Sequence, residues 1–92
     1  AESDLKNKTG FLQRLEFLDI EKALILSNPR KARRLLKKID EAEIDSTNQS
    51  LYSFLNYTTF KVLKKEDEVT LFKDKLSVVD LKKAELIINI NL

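Results

Sequence analysis

Apolar residues recur at helical spacing in five stretches of the chain. Phe11, Leu12, Leu15 and Leu18 stand three and four apart, and Ile20, Ala23, Leu24 and Ile25 continue the pattern around a broader face. That breadth predicts a first helix over 11–27, starting near Thr9 or Gly10, that packs on two sides. "SNP" at 27–29 ends it, because the residue before a proline is pushed out of the helical region. The same tripeptide starts the next helix, with Asn28 as N-cap and Pro29 in the first helical position, where a missing N–H is harmless.

The second helix is expected over 29–41, with Ala32, Leu35, Leu36 and Ile39 as its apolar stripe. It fades into "DEAEIDSTNQS", the longest loop candidate. Ser46 or Thr47 caps a third helix over 47–64, in which Leu51, Leu55, Thr58 and Val62 share one face and Tyr52, Phe54, Tyr57 and Phe60 spread aromatic surface around it. A fourth, over 66–78, carries Val69, Phe72, Leu76 and Val79 at amphipathic spacing. Glu66, Asp67 and Glu68 sit in its first turn, where the helix dipole favours negative charge. Asp80 caps a fifth over 80–90, with Leu81, Ala84, Ile87 and Ile88 inward. The closing "ININL" alternates instead, which leaves a short final strand or an adhesive end open.

The expected fold is therefore all-α, five helices in antiparallel hairpins forming one domain over 1–92. Ala32, Leu35 and Ile39 are echoed by Val69, Phe72 and Leu76 at an offset of 37 residues. Two helical hairpins plus a terminal helix describe a segment of a tetratricopeptide-like array, whose repeat is about 34 residues. A plain up-and-down bundle shares the same stripes, and both arrangements stay open.

Composition strengthens the helical reading, since one Gly and one Pro in 92 residues cannot supply the turns of an all-β fold. It also removes chemistry. There is no Cys and no His, hence no disulfide, thiolate nucleophile or zinc–sulfur site, and no imidazole base. The one glycine cannot make a phosphate cradle, and no Gly-x-Ser-x-Gly or Ser-x-x-Lys motif places a nucleophile. Asp40, Glu41, Glu43 and Asp45 lack the spacing of a calcium loop and read as solvated. No catalytic residue, metal site or cofactor is expected, and the chain reads as a non-enzyme. No apolar run approaches the ~18 residues of a membrane span, so no membrane partner is expected. The chain carries no methionine and reads as a piece of a longer protein, with a cytoplasmic setting.

Net charge is +2, with ten basic and nine acidic residues in 1–46 and seven and six in 47–92. Against that even background, Arg30, Lys31, Arg33, Arg34, Lys37 and Lys38 form a basic patch that could neutralise nucleic-acid phosphates. No base-reading recognition helix accompanies it, and direct nucleic-acid binding ranks below a solvated helical face. The third helix is more suggestive. Asn48, Tyr52, Asn56 and Tyr57 suit a peptide-binding groove wall along helices one, three and five; half-buried core edges are the competing reading.

From "NPRKARRLLKKID" through "LYSFLNYTTFKVLKKEDEVTLFKDKLSVVDLKKAELIINI", residues 28–90, the sequence resembles the C-terminal helical-repeat region of Rgg-type (MutR family) transcriptional regulators of Gram-positive bacteria. The resemblance rests on Ala32, Leu35–Leu36, Lys37–Ile39, Phe54–Leu55 and Phe60–Lys61. It departs from the tetratricopeptide consensus at Tyr57, which takes the usual glycine place. Family membership implies a domain that binds a short signalling peptide and dimerises. Full-length members also carry a helix-turn-helix that these 92 residues do not include.

The apolar end of the chain points to association as well. Leu86, Ile87 and Ile90 are the expected contacts of a homodimer through helix five, against the alternative that this tail folds back as a lid.

Overall fold

The computed structural model describes residues 2–92, with side chains from Gly10 onward. It contains five α-helices: α1 (Glu2–Ile25), α2 (Pro29–Lys37), α3 (Gln49–Val62), α4 (Glu66–Lys73) and α5 (Val78–Ile90). Two single 3-10 turns, Glu41–Glu43 and Ser46–Asn48, link α2 to α3, and no strand occurs among the described residues. The fold is all-α, and the tail is helical up to Ile90.

Helix ends differ from the periodicity reading wherever backbone chemistry sets them. The polar stretch before Gly10 continues α1, since a helix needs no apolar residue to extend a turn. α2 stops at Lys37; beyond it Asp40 and Asp45 each accept a backbone N–H two residues on and cap a 3-10 turn in place of further helix. Ser77, not Asp80, caps α5, its Oγ accepting the Asp80 N–H at 3.2 Å. α4 accordingly stops at Lys73. Val79 falls on α5 and is exposed, not part of the α4 stripe.

The two hairpins are built alike. After α1 the Asn28 N–H bonds the Ala23 carbonyl at 2.8 Å and the Ser27 N–H bonds Leu24; after α3 the Lys65 N–H bonds Phe60 at 2.9 Å and Lys64 bonds Lys61. Both are Schellman caps, with Ser27 and Lys64 left-handed at φ 60°. The same offset of 37 residues separates these two positions.

The hairpins pack around α3, which is buried continuously from Ser53 to Thr59. α1 brings Phe17, Ile20 and Leu24 to the core, α2 Ala32 and Leu36, α4 Val69, and α5 Ala84 and Ile87. Polar residues survive inside α3 by bonding their own helix: Thr58 Oγ1 donates to the Phe54 carbonyl at 2.8 Å and Asn56 Nδ2 to Tyr52 at 2.9 Å. α5 returns to α1, where Lys83 pairs with Glu21 at 3.0 Å and Asn91 Nδ2 donates to the Leu24 carbonyl at 2.9 Å. That return closes a bundle around α3. An open stack of hairpins would hold the first and fifth helices apart.

Candidate functional site

The residues expected to wall a groove on α3 lie largely in the interior, the competing core-edge reading. Asn48, Asn56 and Tyr57 are buried, and Tyr52 is half-buried in a chain of rings: 6.1 Å from Phe17 and 6.2 Å from Phe72. Burial, with the charge of Glu41 adding to it and Asn56 partly offsetting it, raises the Tyr52 pKa above the ordinary tyrosine value. Asn48 donates to the Gly10 carbonyl at 3.0 Å and to Gln13 Oε1 at 3.1 Å. Gln13 in turn donates to the Glu43 carbonyl and accepts the Asp45 N–H. This network ties the 40–48 loop to α1. Asn48, Asn56 and Tyr57 are thus placed in the interior and Tyr52 at its edge.

A groove does exist, between α1 and α2. It encloses about 850 Å³. Ile20 and Ala23 of α1 and Leu35 and Ile39 near the end of α2 line its apolar part; Leu26 stands exposed beside the hairpin turn. Glu16, Asp19 and Lys22 line it from α1, Lys31 and Lys38 from α2 and its end, and Asp40 and Glu43 from the loop. The sequence signal was available: Leu26 precedes a helix stop with no inward role, and acidic residues at 16 and 19 share a face with Ile20 and Ala23.

The six cations of the basic patch divide between two surfaces. Lys31 and Lys38 face the groove just described. Arg30, Arg33, Arg34 and Lys37 join Leu63 and Lys65 around a second concavity of about 450 Å³, on the side of the α3–α4 turn. The split follows from helical geometry, since positions 31 and 38 lie roughly 80–120° around from 30 and 37.

A third surface is apolar. Phe11 is 61% exposed, Leu15 42%, Leu18 47% and Ile25 47%, so the strongest stripe in the sequence of α1 faces solvent while Phe17, Ile20 and Leu24 build the core. On α5, Leu86 and Ile90 are exposed, but Ile87 is 4% exposed and belongs to the core. Ile87 therefore drops out of the expected self-association set. The tail does fold back on α1 through Asn91, yet Leu86 and Ile90 stay uncovered.

Among the described residues no group of three or more acidic side chains is placed to hold a metal ion, and no helix is long and apolar enough to cross a membrane. The chain matches no family model, no curated protein and no solved structure.

Proposed function

We propose that this chain is a non-enzymatic interaction module that holds a short peptide or protein segment in the groove between α1 and α2. The observation that carries the reading is the groove itself: about 850 Å³ with buried Ile20 and Ala23 in its apolar lining, and charges of both signs around it. Its size falls within the ~300–1,000 Å³ of ordinary ligand sites, and more of its lining residues are polar or charged than apolar, which suits a peptide segment better than an apolar small molecule. A segment with one apolar ridge and a carboxylate or acidic residue toward Lys31 and Lys38 fits this chemistry. The resemblance to Rgg-type regulators supports the same reading, because it implies a cytoplasmic region that senses a short peptide.

Selection of linear peptides from a displayed library against the folded chain tests it. Enriched peptides are expected to compete with one another and to lose at least tenfold in affinity on Leu26→Asp with Lys38→Glu, both exposed positions. Peptides that bind both proteins equally, or no enrichment at all, would refute the groove.

A second reading has its own observation. Arg30, Arg33, Arg34, Lys37 and Lys65 line one concavity with no acidic residue among its lining. Nucleic-acid phosphate would be bound there with strong salt dependence. A gel shift with random duplex at low salt, abolished by Arg33→Glu with Arg34→Glu, is its expected result; no shift at low salt ends it.

A further inference from the structure

The charges of the α1–α2 groove are sorted along its length. The two helices run antiparallel from the turn at Ser27, and at that end the groove carries Lys22 and Lys31 beside Leu26, with no acidic side chain in its lining there. At the other end, where Gln13 bonds the Glu43 carbonyl, it carries Glu16, Asp40 and Glu43. Asp19 and Lys38 stand on opposite walls about midway and offset each other. Ile20, Ala23 and Leu35 supply the apolar floor between the ends. All of these charged side chains are exposed, and among the described residues none of them is held in an ion pair.

The inference rests on the reading of this groove as a peptide site. We propose that its occupant is an extended segment with a basic, an apolar and an acidic side chain at alternate positions, basic-x-apolar-x-acidic. Lys22 and Lys31 hold the acidic residue at the turn, and Glu16, Asp40 and Glu43 hold the basic residue at the open end.

Spacing sets the motif. From the level of Lys22 and Lys31 to that of Glu16 and Glu43 is roughly 13 Å along the hairpin, at a helical rise of 1.5 Å per residue. An extended chain advances about 3.3 Å per residue, so about four residues cover that distance. An even separation also places both charged side chains, and the residue midway between them, on one face of the segment. The middle side chain then meets Ile20, Ala23 and Leu35. A helical segment would need roughly eight or nine residues for the same span, and so short a helix is marginal in water. An extended segment carries no nucleation cost.

Nuclear magnetic resonance titration of the isotope-labelled chain with the blocked peptide acetyl-Arg-Ala-Leu-Ala-Glu-amide tests the proposal, since blocked ends leave the two side chains as its only charges. Amide shifts are expected along the groove from Lys31 to Glu43. Gln in place of both Arg and Glu should weaken binding about tenfold at low salt, a few-fold for each exposed charge pair. The difference should shrink at high salt, where such pairs are screened. Lys22→Glu with Lys31→Glu, both exposed, should weaken the charged peptide about tenfold and leave the neutral one within about twofold. A nitroxide attached beyond the Glu should broaden the amides of Leu26 and Lys31 more than those of Gln13 and Glu43. One more residue between Arg and Glu turns the two charges to opposite faces and should weaken binding several-fold. A neutral or lengthened peptide that binds as well as the first, or strongest broadening at Glu43, overturns the proposal and leaves the groove a peptide site. No shift in the groove with any of these peptides overturns it too, and the groove reading itself falls only if library-selected peptides also miss the groove.

Discussion

Ser27 and Lys64 hold the same left-handed conformation, φ 60°, at the same place in the two hairpins. A side chain with a Cβ costs roughly 1–2 kcal/mol there, since Cβ crowds the following carbonyl. Replacing either by glycine relieves that cost. Glycine also enlarges the conformational freedom of the unfolded chain, which takes back ~0.4–1 kcal/mol. The net expected gain is about 0.5–1 kcal/mol for each of Ser27→Gly and Lys64→Gly. Both side chains are exposed, so little contact is lost. The Schellman bonds from Asn28 to Ala23 and from Lys65 to Phe60 are backbone only and survive the change.

The two turns belong to different hairpins, and their effects should add to about 1–2 kcal/mol. For a domain of this size that corresponds to a rise in Tm of roughly 5–10 °C. Urea unfolding followed by far-ultraviolet dichroism measures it, with Ser27→Ala and Lys64→Ala as controls that keep the Cβ. Glycine variants no more stable than the alanine controls would refute the reasoning, because the gain must come from the backbone alone.

Three further outcomes follow from buried polar groups. Asn48→Ala removes both side-chain bonds to α1, each worth roughly 0.5–1.5 kcal/mol, and urea unfolding should show a loss of about 1–3 kcal/mol. Thr59→Val should gain ~1 kcal/mol in the same assay, since the Thr59 hydroxyl is fully buried and finds no partner. Tyr52 is held protonated in the folded chain, so its contribution is complete below the ordinary tyrosine value and fades as pH rises from there through the raised folded pKa. Unfolding free energy measured across pH 9–12 should therefore fall less steeply for Tyr52→Phe than for wild type; identical slopes would contradict the burial argument.

The number and type of elements were legible in the sequence because three- and four-residue spacing survives in every helix, from Ala32 and Leu36 to Ala84 and Ile87. What was not legible has specific causes. Asn56 reads as a groove-wall residue, yet it bonds a carbonyl one turn back, as Thr58 does on the apolar face, and a polar residue satisfied by its own helix leaves no trace in a hydropathy pattern. Hydropathy alone therefore assigns α3 to a groove wall, whereas in the structure it is the central helix. In α1 two apolar stripes compete. The sequence shows both, but not that Phe17 and Leu24 face inward while Phe11 and Leu18 face out. The candidate groove leaves no local pattern because it belongs to a hairpin, with Asp19 and Lys38 far apart in the chain and lining one concavity only after the turn at Ser27.

Amide chemical-shift mapping of the labelled chain, titrated with a peptide enriched by selection, tests the central claim most directly. The largest changes are predicted along both walls of the α1–α2 groove, at Glu16, Asp19, Leu26, Lys31 and Lys38, with α3 unaffected. Changes centred instead on Arg30, Arg34 and Lys65, or spread through α3, would contradict the account.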